Sequence, residues 1–464
     1  MIDLTLADVA TLTRGVLSGG ADPAARVTGA VVDSRRATSG DLFVCVRGDH
    51  VDGHDYASAA VGAGAAAALA AYDVGVPAVV VPDPVAALGQ LAAGILRRAN
   101  DCRVVGVTGS SGKTSTKDLL AQVLNRQGSL VAPHNSFNNE IGLPLTVLEV
   151  SEQTRMLVCE YSARGPGHIR YLCEIAPPHI GVVLNVGAAH LGEFGSRDAV
   201  ADAKAELVEA LPPDGTAVLN ADDFRVAAMA TRTRARVVLF GESPTAGVRV
   251  ADVRLDELAR PRFRLVTDTG ELDVQLPLSG AHHALNAAAT AAAALACGMS
   301  LEDVVDALQS ATEHSAHRMD VRRRSDDVLV IDDAYNANPE SMTAALAAFT
   351  RMSEGRRRWA VFGEMRELGA ESLNLHRGVG AAVAHAGVDE LVVVTPAEPI
   401  AEAASAEAGW SGHARVASDA NEAVRLLRAE VRPGDAVLVK ASNSVRLWEV
   451  AEALLVDVPA GAAS

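Results

Sequence analysis

Val104-Val-Gly-Val-Thr-Gly-Ser-Ser-Gly-Lys-Thr-Ser-Thr-Lys117 joins an apolar run to a glycine loop that ends in Lys113 and Thr114. The β-branched residues ahead of the loop predict a buried strand, and Leu119, Leu120, Val123 and Leu124 on one side of residues 115–127 predict a helix behind it. Strand, loop and helix in this order make a phosphate cradle. Gly109 and Gly112 let the backbone bend and bring the N–H groups of the loop (Ser110, Ser111, Ser115 and their neighbours) toward phosphate oxygens. Lys113 neutralises the terminal phosphates, and the Thr114 hydroxyl joins a Mg²⁺ shell. The spacing G-x-x-x-x-G-K-[ST] is not met, since Val107 holds the first glycine's place. The flanking strand and helix favour phosphate binding over an ordinary Gly/Ser turn.

Working outward, 464 residues at about 150 per domain predict three domains. Aromatic residues are 3% of the chain against 49% apolar, so the cores should be aliphatic. Neither end reads as a signal peptide and no apolar run approaches the roughly 20 residues of a membrane span, so the expectation is a cytoplasmic protein. Five cysteines without a C-x-x-C pair read as buried free thiols. A formal charge of −17 argues against nucleic acid or an anionic membrane as partner. Small anions remain possible ligands, held by N–H groups, single cations or metal.

Residues 1–100 carry Asp33-Ser-Arg35 and Asp52-Gly-His-Asp55 among short strands and Ala-rich helices, of which residues 56–70 are one. Residues 101–314 alternate strand-like runs (103–108, 156–160, 180–186, 217–220, 237–240) with helical stretches and end in the Ala-rich helix 285–297, a pattern of a mainly parallel sheet. Residues 315–464 repeat it with runs at 328–331, 359–362, 391–394 and 436–439.

In such sheets function gathers beyond the carboxyl ends of strands. Glu160 ends one run, where its carboxylate can reach a Mg²⁺ shared with phosphates and Thr114; a solvent-facing glutamate is the plain alternative. His190 follows another by a Gly/Ala turn, a place equally open to a structural histidine. Lys204 shares a helical stripe with Val200, Leu207, Val208 and Leu211. It either snorkels or pairs with a glutamate, or it is buried, neutral and able to take up CO₂ as an anionic metal ligand. Asp332-Asp-Ala-Tyr-Asn-Ala-Asn-Pro339 follows a strand, and Asp333, Tyr335 and Asn338 can bind a sugar hydroxyl or base edge there, with Pro339 opening a helix. Arg318 at the junction of regions two and three can meet phosphate on closure, while Lys440 and His376 are single candidates; for Arg318 and Lys440 a surface salt bridge is the alternative.

These segments, with Asn138-Asn-Glu-Ile-Gly142, Ala163-Arg-Gly-Pro-Gly-His-Ile169, Phe194-Gly-Ser196 and Glu367-Leu-Gly369, together resemble the Mur ligases, the ATP-dependent amide-forming enzymes of peptidoglycan precursor synthesis. The resemblance implies an α/β protein of three domains: an N-terminal UDP-substrate domain (1–100), a central P-loop ATPase-like parallel-sheet domain (101–314) and a C-terminal Rossmann-like domain (315–464). Its Asp333–Pro339 and Asn138–Gly142 segments imply the branch that joins D-alanyl-D-alanine to UDP-N-acetylmuramoyl-tripeptide through an acyl phosphate, using ATP and Mg²⁺; a monomer is expected. It assigns Lys113 to the terminal phosphates, Thr114 and Glu160 to one Mg²⁺, and His190 with a carbamylated Lys204 to a second. It also assigns Asn286 to adenine, Asp333 to ribose, Arg318 to phosphate, and Ser34, Arg35, Asn138, Asn139 and Asn338 to the substrates. Ser162 and His317 depart from the family pattern, which favours glycine at both, and Asn443 stands where arginine is usual.

Overall fold

The computed structural model describes residues 1–48, 50–99, 101–133, 136–187 and 191–456. The apolar run is the strand Arg103–Thr108, buried from Val104 onward. It lies inside a sheet of nine strands, between Met156–Glu160 and Ile180–Val183. Leu130–Val131 continues the sheet beyond Met156–Glu160, and Thr216–Asn220, Arg236–Gly241 and Val248–Leu255 continue it on the other side, all parallel. The chain runs outward from Arg103–Thr108 first to one side and then to the other, so the carboxyl end of that strand is a topological switch point, where open α/β sheets bind ligands.

Two antiparallel strands, Pro261–Thr267 and Gly270–Gln275, complete the sheet. The sequence does not announce this meander, because one of its faces is wet and its strands alternate buried with exposed residues instead of forming apolar runs. The helix Lys113–Leu124 follows the glycine loop, and Leu119, Leu120, Val123 and Leu124 are all fully buried. At about 1.5–3 kcal/mol for each large aliphatic side chain buried, that face fixes the helix and hence the loop at its head. The Ala-rich helix His283–Ala296 packs on it, its small side chains permitting a close approach.

The N-terminal sheet has the order Val16–Ser18, Ala78–Val80, Ala67–Ala70, Asp41–Val44, Gly29–Val31, parallel except at its first pair. Here the helix expected over residues 56–70 is corrected: the helix is Ala57–Gly62, and Ala67–Ala70 is a fully buried strand. Alanine's helix propensity is worth tenths of a kcal/mol per residue, and burial between two covered faces outweighs it. One apolar cluster runs from Ile2 through the helix Pro84–Arg98 to Leu207 and Leu219, so this region rests on one face of the central sheet.

The C-terminal sheet runs Asp320–Arg323, Leu329–Asp332, Ala436–Lys440, Arg358–Phe362, Glu390–Val394, His413–Ala417, with only the first strand antiparallel. Both faces are apolar, around Phe349 and Phe362 on one side and Trp359 and Leu447 on the other. Among the described residues no helix is long and apolar enough to cross a membrane. Cys45, Cys102, Cys159 and Cys173 are buried and, with Cys297, free.

Candidate active site

The glycine loop, the strand end at Glu160 and the start of the C-terminal domain converge on one hydroxyl. Thr114 Oγ1 donates to Glu160 Oε2 at 2.9 Å, lies 2.9 Å from Ser136 Oγ, and accepts from Arg318 Nη2 at 3.0 Å. Asn138 Nδ2 donates to Glu160 Oε1 at 2.7 Å, so both oxygens of this carboxylate, 1% exposed, are held. Glu160 therefore faces the cleft and not solvent. The cleft encloses about 490 Å³ and is lined by the loop from Ser110 to Ser115, by Asn138, Asn139 and Glu160, by His282, His283 and Asn286, and by Arg318, Asp333, Tyr335 and Asn338 of the C-terminal domain.

The loop is built for close approach. Gly112 has φ +79, and a Cβ there would stand 2.9 Å from Asn286 Oδ1. Lys113 Nζ donates back to Gly109 O at 2.8 Å. Burial lowers the Lys113 pKa, against the pull of Glu160. Asn185, which sequence reading missed, carries the other side of the loop: its Oδ1 accepts from Ser110 N at 3.0 Å and Ser111 N at 2.9 Å. The apolar run predicts a strand over 180–186, whereas the strand ends at Val183 and puts Asn185 just beyond its carboxyl end. With Ser110 and Ser111 occupied, the N–H groups of Gly112, Lys113 and Thr114 have no backbone acceptor among the described residues and open the helix Lys113–Leu124 as an anion site.

Lys204 lies on the helix Arg197–Glu209, is 5% exposed and has no carboxylate within ion-pair distance among the described residues. Its burial rules out snorkelling, and among the described residues no glutamate pairs with it. Burial drives its pKa well below the usual lysine value, and the nearby Lys113 adds to the effect. His190 lies outside the described residues. Among those described, no cluster of three or more His, Cys, Asp or Glu side chains could hold a metal alone. Thr114 with Glu160 offers the hard oxygen donors that suit Mg²⁺, a cation that keeps water and phosphate oxygens as its other ligands.

Arg318 sits between two left-handed residues, His317 at φ +60 and Met319 at φ +54. That geometry explains why glycine suits position 317. Histidine is held there by its Nδ1, 2.6 Å from Asp332 Oδ2, and by stacking on Trp448. The Arg318 guanidinium lies 4.2 Å over the Tyr335 ring, facing the cleft. Asp333 accepts from Met319 N at 3.1 Å and from Lys440 Nζ at 2.6 Å. Among the described residues Arg318 is in no salt bridge, and Lys440 is almost wholly buried against Asp333 and the Asn336 carbonyl. Lys440→Met keeps the apolar stem but strands the Asp333 charge, and should cost about 3–5 kcal/mol in urea unfolding.

Asn286 Nδ2 and His283 Nδ1 are buried without a partner among the described residues, one turn apart beside the glycine loop. Asn139 Oδ1 caps Ile141 and Gly142, and Asn338 Oδ1 caps the helix Pro339–Met352 through Ser341 N at 2.8 Å, so both have structural work beside any substrate role. His376 is structural: its Nε2 accepts from Met365 N and its Nδ1 lies 2.7 Å from Ser372 O. Ser34 and Arg35 lie on a turn of the N-terminal domain, where Arg35 pairs with Asp33, and do not line this cleft. Ser162 has ordinary backbone and lines the cleft; Asn443 does not.

A phosphate loop at the switch point of a parallel sheet, covered by a second α/β domain that supplies an arginine, defines a nucleotide-dependent group-transfer enzyme. Family models for the Mur ligase middle domain, the Mur ligase glutamate ligase domain and the Mur ligase family catalytic domain match residues 107–294, 317–443 and 26–95. The chain belongs to the Mur ligase family, in its MurF group. UDP-N-acetylmuramoyl-tripeptide–D-alanyl-D-alanine ligase of Mycobacterium tuberculosis is 47% identical to it over 99% of both chains. The crystal structure of MurF from Acinetobacter baumannii is similar with a TM-score of 0.87 at 31% identity, covering 98% of this chain and 99% of that one. MurF ligase from Thermotoga maritima in complex with ADP is similar with a TM-score of 0.77 at 31% identity, covering 92% and 97%.

Proposed function

We propose that the chain joins D-alanyl-D-alanine to UDP-N-acetylmuramoyl-tripeptide at the expense of ATP, a step of peptidoglycan precursor synthesis. The observation that carries this reading is the meeting of Glu160, Ser136 and Arg318 on Thr114, which gathers three separate segments at the end of the glycine loop, where a phosphoryl group would be held. In this reading domains divide near residues 100 and 314: the first holds the UDP end through Ser34 and Arg35, the second ATP, and the third closes over the nucleotide.

A carboxylate is a poor electrophile and its oxygen a poor leaving group. The tripeptide carboxylate oxygen attacks the γ-phosphorus of ATP and ADP leaves, giving an acyl phosphate. The free amine of D-alanyl-D-alanine, once deprotonated, then attacks the acyl carbon. The tetrahedral adduct expels inorganic phosphate and the amide remains. Lys113, Arg318 and the N–H groups of Gly112 to Thr114 offset the charge on the transferred phosphoryl group. Asn286 offers its unpartnered amide to the adenine edge, and Asp333 retains acceptor capacity for ribose. Asn138, Asn139 and Asn338 line the cleft and would contact the substrates. Thr114 and Glu160 would hold one Mg²⁺, and His190 with carbamylated Lys204 a second; the ions supply charge neutralisation at the phosphates. Burial, with Lys113 beside it, holds Lys204 toward the neutral amine that takes up CO₂, and a carbamate there would set an anion next to the Lys113 cation. The C-terminal domain covers the cleft and keeps water from the acyl phosphate. The chain acts as a monomer in the cytoplasm, where ATP and UDP-linked precursors are supplied.

ADP release should require UDP-N-acetylmuramoyl-tripeptide and D-alanyl-D-alanine together. Release with neither substrate present would mark a simple nucleotide hydrolase instead, and a different preferred amine another ligase of the family.

A further inference from the structure

We infer that Asp118, Gln122 and Ser315 form a clasp that sets the linker between the central and C-terminal domains so that Arg318 meets Thr114, which makes them positioning residues for the ligase reaction. The inference rests on the proposed function for the reaction it serves.

Asp118 and Gln122 are one turn apart on the helix Lys113–Leu124, whose first turn directly follows the glycine loop. The same rigid rod therefore carries Thr114 at one end and the clasp along its side. Gln122 takes both backbone groups of one linker residue: its Oε1 accepts from Thr312 N at 2.8 Å and its Nε2 donates to Thr312 O at 3.0 Å, as a neighbouring strand would. Asp118 Oδ2 accepts from Ser315 Oγ at 2.6 Å. Its other oxygen is in a close ion pair with Lys117, whose ammonium is buried and donates to Pro133 O at 2.9 Å. Consecutive residues of the helix thus hold two arms. Lys117 holds the carbonyl of Pro133, three residues before Ser136, and Asp118 holds Ser315, three residues before Arg318. Those two arms meet again at Thr114, where Arg318 Nη2 donates to Thr114 Oγ1 at 3.0 Å and to Ser136 Oγ at 3.3 Å. Between Ser315 and Arg318 the chain has left-handed His317, whose carbonyl accepts from Tyr335 N, so a shift at the clasp is passed on to the guanidinium and not absorbed by a slack turn.

The half-exposed hydrogen bonds of the clasp add little to global stability, whereas a misplacement of about 1 Å at a reacting group can cost about 10²-fold in rate. A clasp that positions and one that only ties the linker therefore part company in a double-mutant cycle with Arg318. Ser315→Ala and Gln122→Ala should each lower kcat for ADP release, with all three substrates saturating, by about 10- to 100-fold. KM for ATP and the melting temperature should hardly move. In an Arg318→Ala background the same changes should cost no more than about twofold, the ordinary error of additivity. Ser315→Thr, which keeps the hydroxyl, should restore the rate. Full activity in Ser315→Ala and Gln122→Ala, or the same fold loss with and without Arg318, would overturn the inference. A wild-type chain without amine-dependent ADP release would instead overturn the proposed function on which it rests.

Discussion

Lys113→Ala is expected to lower kcat for ADP release by at least about 10²- to 10³-fold, the usual cost of removing one charge-stabilising group from such a site. The fold should survive. Among the described residues the ammonium donates only to the Gly109 carbonyl, and burial already lowers its pKa, so its removal relieves a desolvated charge. Near-normal turnover in a purified, folded Lys113→Ala protein would contradict the phosphate role. Glu160→Ala is expected to lose activity as severely, because it releases both Thr114 and Asn138.

Lys204→Ala is expected to be inactive and to regain part of its activity when a short carboxylic acid is added, which would occupy the space of a carbamate. The sign of its pH dependence is fixed by its environment. A lysine whose pKa is pushed far below the usual 10.5 binds fewer protons folded than unfolded, so the unmodified protein gains stability as pH rises toward that value. Lys204→Ala should remove that slope and unfold no more easily at neutral pH. Absence of rescue, together with a mass spectrum and density of an unmodified lysine, would count against carbamylation.

Local features were readable and distant ones were not. The phosphate loop is strand, turn and helix in one stretch, so its residues could be named from periodicity and glycine spacing alone. Glu160 was found by the rule that strand ends carry function, and the same rule would have found Asn185 had the strand been ended at Val183. The partners of Arg318 could not be read, because Thr114 lies 204 residues away and the contact depends on how two domains are set. For the same reason Lys440 looked like a surface cation until the sheet order placed Ala436–Lys440 beside Leu329–Asp332, with Asp333 at its end. In the N-terminal sheet the strand Ala67–Ala70 was hidden by composition, since four residues of alanine and leucine serve a buried strand as well as a helix.

The central claim is that ATP activates the tripeptide by transferring a phosphoryl group to its carboxylate. Turnover of UDP-N-acetylmuramoyl-tripeptide carrying heavy oxygen in the reacting carboxylate, with unlabelled ATP and D-alanyl-D-alanine, tests it directly by mass analysis of the phosphate released. The account predicts that an oxygen from the carboxylate appears in that phosphate, since the acyl–oxygen bond breaks when the amine displaces it. Phosphate free of label while the amide forms would contradict it.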